Sequence, residues 1–117
     1  MEPRAYSGIV GKGEGRAAKL GFPTINIPLS DAGVSGVYAA LVKTKGGLFR
    51  AVAFADQKRN ILEAHLIDFS GGLYGKGVVI ELHKKLRDAM RFETDEDLSR
   101  AIRGDAAEAG EYFAERP

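Results

Sequence analysis

Between residues 5 and 86 the chain never sustains a helical repeat of apolar residues. Glycines and charged residues break it into six short extended runs: Ala5 to Val10, Thr24 to Ile27, Val37 to Thr44, Leu48 to Ala55, Ile61 to Leu66 and Val78 to Leu86. Runs this close together, with no helix between them, exclude a doubly wound parallel sheet, in which each parallel neighbour needs a crossover helix. Lys45-Gly46-Gly47 separates two runs at hairpin length, so those two are expected to pair antiparallel. A small barrel or sandwich follows, and a closed barrel also removes exposed strand edges. Helical spacing appears only near the C-terminus. There Leu98, Ala101, Ile102, Ala106, Ala109 and Phe113 share one stripe behind Thr94, an N-cap followed by an acidic first turn, with Gly104 as a weak point. The expected architecture is mainly β, six short antiparallel strands in a small barrel or sandwich with one C-terminal α-helix closing one end or flank, forming a single domain over residues 1–117.

A chain of 117 residues builds one compact core, and any site must be assembled inside it. Hydrophobic residues are 44% and charged residues 28%, an ordinary globular balance rather than that of a disordered chain. Cysteine is absent and histidine occurs twice, which removes disulfide, thiolate-zinc and cysteine-nucleophile chemistry. No apolar run of about 18 residues occurs, and the N-terminus has neither a basic n-region nor an apolar h-region. A cytoplasmic setting without a membrane partner is expected. Residues 1–60 hold nine Lys/Arg against four Asp/Glu, while residues 61–117 hold eight against twelve. The positive excess of the first part suits a phosphate-bearing partner, or simply mixes with the acidic part on the folded surface. Its aromatics do not interleave with the cations as a base-stacking platform requires, so nucleic acid is not an expected partner.

Three segments have chemical potential. Gly8, Gly11, Gly13 and Gly15 punctuate one stretch together with Lys12, Arg16 and Lys19. Such a stretch suits a flap over phosphates or a loop that turns a corner, and it contains neither a P-loop nor a dinucleotide fingerprint. Next, Pro23 holds Phe22 extended, so strand alternation puts Ile25 and Ile27 into the core and leaves Thr24 and Asn26 on the other face. These two neutral oxygen donors suit a hard cation such as Mg²⁺, or cap the strand end. In the run from Ile61 to Leu66, Glu63 and His65 share the face opposite Leu62, Ala64 and Leu66. Glu63 is therefore either a general base on an otherwise apolar strand or a solvated surface carboxylate. His65 reads as a hydrogen-bonded structural residue, because no second histidine lies at ligand spacing. Arg87, Met90, Arg91 and Phe92 follow the last run and suit either stacking on a planar ligand or packing of helix against barrel.

Taken in order, these segments resemble the riboflavin kinase (flavokinase) family, including the kinase module of bifunctional bacterial FAD synthetases. The resemblance rests on Gly8-x-Val10, Gly13-x-Gly-Arg16, Leu20-Gly-Phe-Pro-Thr-x-Asn26, Gly36-Val-Tyr-Ala39, Glu63-x-His-x-x-Asp-Phe69, Leu73-Tyr-Gly75, Leu86-Arg87, Phe92 and the closing helix. It implies a Greek-key barrel that transfers the γ-phosphoryl of ATP to the ribityl 5′-hydroxyl of riboflavin, giving FMN and ADP. By the same resemblance, Thr24 and Asn26 bind the Mg²⁺ of Mg-ATP and Glu63 accepts the hydroxyl proton. Gly13, Gly15, Arg16 and Lys19 cover the nucleotide, and Arg87 belongs to the loop over the flavin. The implied partners are riboflavin/FMN and ATP/ADP, and a monomer is expected. Two departures stand out. The family's Gly-x-Arg-Pro-Thr segment and longer loop are replaced by residues 53–60 running straight into Ile61, and Ala89 stands where many members have glutamate. They leave open a second reading, a flavin- or nucleotide-binding module of the same fold without turnover. No adenylyltransferase module is matched, so FAD synthesis from FMN is not expected.

Overall fold

A computed structural model describes residues 3–12, 15–69 and 71–115. Its elements are β1 (Arg4–Ile9), α1 (Arg16–Lys19), β2 (Thr24–Pro28), β3 (Gly36–Thr44), β4 (Gly47–Asp56), β5 (Ile61–Leu66), β6 (Gly77–Arg87) and α2 (Asp95–Ala114). The six extended runs are thus all strands, within one or two residues of the expected bounds. The short helix α1 corrects the expectation of a single helix: four residues are too few to show a periodic stripe in a sequence.

All strand pairs are antiparallel, in the order β1-β6-β3-β4-β5-β2. The consecutive strands β3, β4 and β5 form a meander. Return of β2 beside β5 and of β6 beside β3 then makes two overlapping Greek keys. The expected hairpin is present, with Thr44 opposite Gly47 and a two-residue turn between them. Register shifts in the β3–β6 ladder, between Val37 and Tyr38 and between Ala39 and Ala40, add to the curl of the sheet. Its two edges are brought together by that curl. Among the described residues β1 and β2 share no ladder; the Gly11 N–H donates to the Asn26 carbonyl at 2.8 Å and closes the barrel through one bridge.

Alternation then sorts the side chains. Ile27, Leu62, Val42 and Ile80 are fully enclosed within the curl, and alanines at 40, 51, 53 and 64 let the walls approach closely. On the outside, Val37, Ala39 and Val52 form a second apolar surface that packs against Ala106, Ala109 and Phe113 of α2. The helix stripe read from the sequence therefore docks on the outer face of β3 and β4. Thr94 caps α2 by accepting the Asp97 N–H at 3.1 Å, and Asp95, Glu96 and Asp97 occupy the first turn, where the helix dipole favours negative charge. The helix runs unbroken through Gly104. Among the described residues no helix is long and apolar enough to cross a membrane.

Candidate active site

Strand register brings the two polar pairs of the sequence together. Asn26 stands opposite Glu63, and Glu63 opposite Phe54; one step along, Thr24 faces His65 and His65 faces Val52. Since Ile25, Ile27, Leu62 and Ala64 point into the core, Thr24, Asn26, Glu63 and His65 emerge side by side on the outer face. Alternation along each strand shows each pair; only the pairing of β2 with β5 makes them neighbours.

This face is roofed by α1, the segment 89–92 and the first half of α2, which leave a cleft of about 120 Å³ that opens to solvent. Val37, Val52, Phe54, Met90, Phe92, Leu98 and Ile102 give it apolar walls, and Thr24, Glu63 and His65 supply polar groups at one side. A mostly apolar hollow with a few convergent polar groups is the usual form of a small-molecule site. Met90 is 63% exposed, so a large apolar side chain is presented to incoming ligand.

Glu63 is 8% exposed. Burial pushes its carboxyl above the ordinary glutamate range, the Arg59 guanidinium opposes that rise, and Asp56 adds slightly to it. Arg59 Nη2 lies 3.4 Å from Glu63 Oε2. The arginine is itself anchored, because Nε donates to Asp56 Oδ2 at 2.7 Å, while Asp56 Oδ1 accepts the backbone N–H groups of Lys58 and Arg59 at 3.1 and 3.2 Å. The connection that looks shortened in the sequence is thus an Asp-capped turn that delivers a cation to the buried carboxylate. Gly15 passes over both groups: a Cβ there would lie 2.8 Å from Glu63 Oε2 and 3.6 Å from Arg59 Nη1. Its φ of −75° suits any residue, so close approach and not backbone conformation calls for glycine.

Thr24 Oγ1 is buried and has no hydrogen-bond partner among the described residues. Such an orphan is costly unless a ligand completes it. Asn26 Nδ2 donates to the Lys12 carbonyl at 3.3 Å, and Asn26 Oδ1 lies 2.8 Å from the point a Cβ on Gly11 would occupy. The hydroxyl and amide oxygens of these two residues suit a hard divalent cation that fills its shell with water and phosphate oxygens.

The remaining residues named from the sequence fall around the cleft. Arg16 donates from Nε to Asp95 Oδ1 at 3.0 Å and from Nη1 to the Phe92 carbonyl at 2.7 Å, tying α1 to the start of α2. Lys19 is exposed at the end of α1, and Gly13 lies outside the described residues. Arg87 lines the cleft with its guanidinium engaged by Asp105 and stacked 5.6 Å over the Phe92 ring. His65 shares Nδ1 with the Pro23 carbonyl at 3.0 Å and meets the edge of Phe22. Two participants were not singled out by the sequence reading. Asp105 had a signal, an acid on the apolar stripe between Ala101 and Ala109. Arg59 had none, because nothing in the run 57–60 shows where its side chain goes.

Comparison with known proteins identifies the family. The family model for Flavokinase, described as riboflavin kinase, matches residues 1–113. The chain is 34% identical over 120 residues to a bifunctional riboflavin kinase/FMN adenylyltransferase of Mycoplasma pneumoniae, covering 98% of this chain and 45% of the relative. It is 36% identical over 123 residues to the protein of the same name from Escherichia coli, covering 95% and 38%. The chain thus spans less than half the length of these relatives. A crystal structure of riboflavin kinase from Trypanosoma brucei superposes with a TM-score of 0.73 at 20% identity, covering 99% of this chain and 80% of that one, and shows the same fold. With a family match along nearly its whole length, the chain belongs to the flavokinase family of riboflavin kinases.

Proposed function

We propose that this domain transfers the γ-phosphoryl of ATP to the ribityl 5′-hydroxyl of riboflavin, giving FMN and ADP. The observation that carries the reading is the buried Glu63 carboxylate beside Thr24 and Asn26 at the polar side of an apolar cleft. The cleft walls, Val37, Val52 and Phe54 on the sheet and Met90, Phe92, Leu98 and Ile102 opposite, take the planar flavin and exclude water from its ring. Arg87 holds the loop end against α2 through Asp105, so it shapes the flavin wall.

Phosphoryl transfer asks the protein for positioning and charge stabilisation more than for covalent chemistry. Glu63 accepts the proton of the attacking hydroxyl, and its burial, by weakening ionisation, makes it a stronger base when charged. Thr24 Oγ1 and Asn26 Oδ1 would hold the Mg²⁺ of Mg-ATP, and the orphaned threonine oxygen fits that role. When bound, such a cation neutralises charge on the phosphate oxygens. Gly13, Gly15, Arg16 and Lys19 belong to the nucleotide-covering segment, and the Gly15 backbone passes close over Glu63. We read the domain as a cytoplasmic monomer.

The deciding assay incubates purified protein with riboflavin, ATP and Mg²⁺ and follows FMN by chromatography. FMN in proportion to enzyme supports the kinase; saturable riboflavin binding without FMN overturns it in favour of a silent flavin-binding module.

A further inference from the structure

The turn 57–60 places an arginine beside Glu63, where the proposed reaction would run. Arg59 and Glu63 line a hollow that continues the cleft toward α1, together with Arg16 and Arg91. The Arg59 side chain is 46% exposed, although its Nε edge is fixed by Asp56 at 2.7 Å. Nη2 touches Glu63 Oε2 at 3.4 Å, and no other hydrogen bond from the Nη groups is made among the described residues. We propose that Arg59 is a further catalytic residue, donating its Nη hydrogens to the oxygens of the γ-phosphoryl as that group passes to the acceptor hydroxyl held by Glu63. The proposal rests on the kinase reading above.

Distance supports it. A hydroxyl giving its proton to Glu63 sits roughly 2.6–3.2 Å from the carboxylate. In a near-attack arrangement the same oxygen is about 3–3.5 Å from phosphorus. A guanidinium whose Nη2 lies 3.4 Å from an oxygen of that carboxylate is therefore within a few ångströms of the transferring group. The planar fork suits phosphate oxygens, and Asp56 fixes it before the substrate arrives, so little reorganisation accompanies the reaction. In the step, the riboflavin O5′–P bond forms and the bond from Pγ to the β,γ-bridging oxygen breaks, its electron pair leaving on ADP. The hydroxyl proton goes to Glu63. Arg59 stays protonated throughout and contributes only hydrogen bonds and charge.

The test compares the parent with Arg59→Gln, Arg59→Lys and Arg59→Ala. Arg59→Gln should lower kcat by about 10²–10³ while the KM for riboflavin stays within about threefold. Titration calorimetry should show Mg-ATP binding weakened about tenfold with Mg-ADP unchanged, because only ATP carries the γ-phosphate. Arg59→Lys should recover part of the rate, and free guanidinium should raise the rate of Arg59→Ala. A kcat within about threefold of the parent, or equal weakening of ATP and ADP, would overturn the proposal and leave Arg59 as a partner of Glu63 alone. Circular dichroism checks each fold, and if Arg59→Gln is unfolded the same ATP-to-ADP comparison is made on Arg59→Lys. A parent that forms no FMN sinks the kinase reading separately, while the ATP-to-ADP contrast still decides whether Arg59 contacts the γ-phosphate.

Discussion

Arg87 and Asp105 meet as fork and carboxylate: Nε donates to Oδ1 at 2.9 Å and Nη2 to Oδ2 at 2.8 Å, joining the last residue of β6 to the middle of α2. Asp105 is 6% exposed, so the pair stands partly out of water at the far wall of the cleft. Removing one member strands the other, which costs far more than a surface ion pair is worth. Asp105→Ala is expected to lower stability by about 2–3 kcal/mol in urea denaturation. It should also weaken riboflavin binding, because α2 carries Leu98 and Ile102 into the cleft. A loss typical of an exposed pair would show that solvent replaces the aspartate.

Glu63 should cost stability at neutral pH. Its folded pKa is raised, so the folded state holds that proton more tightly than the unfolded chain, and the favourable contribution of the protonated form is lost as pH rises through the raised value. Glu63→Gln is therefore expected to unfold at a higher urea midpoint than the parent at pH 7, while turnover falls by roughly two to four orders of magnitude with flavin binding kept. Turnover near the parent's would remove Glu63 from the base role.

The pH profile gives an independent check. As pH falls through the raised pKa, Glu63 takes up a proton and can no longer accept one from the hydroxyl. The acid limb of kcat/KM is thus expected above the ordinary glutamate range, and an acid limb at or below that range would mean that another group controls it.

Thr24→Val keeps the shape of the side chain and removes its oxygen. It should weaken Mg-ATP by about tenfold or more and leave riboflavin binding little changed, as should Asn26→Ala. Calorimetric titration of each ligand reads both values. Loss of riboflavin binding ahead of Mg-ATP would contradict the cation assignment.

Gly36 has φ +98°, and a Cβ there would lie 2.7 Å from the Arg87 carbonyl. Gly36→Ala combines a left-handed backbone with a backbone clash, and should destabilise the protein by about 2–4 kcal/mol. Gly15→Ala, with no such backbone demand, should leave stability nearly intact and lower kcat by displacing the Glu63 carboxylate. Thermal melts alongside steady-state rates separate the two effects.

The sequence by itself determined the strands, the helix and its cap, because alternation, glycine-rich turns and an N-cap are local and are written at fixed spacing. It also determined which side chains leave the core: Thr24, Asn26, Glu63 and His65 are outward by alternation wherever their strands lie. Only the tertiary structure decided that β2 pairs with β5, which sets Asn26 opposite Glu63. Barrel closure through the Gly11–Asn26 bridge was decided there as well. Strand order depends on contacts between residues far apart in the chain, and no local spacing encodes it. The same holds for Arg59, whose direction is set by Asp56, and for Arg16, which meets Asp95 across 79 positions of sequence. A long side chain at a turn has many rotamers, and only the folded carboxylate beside it selects one.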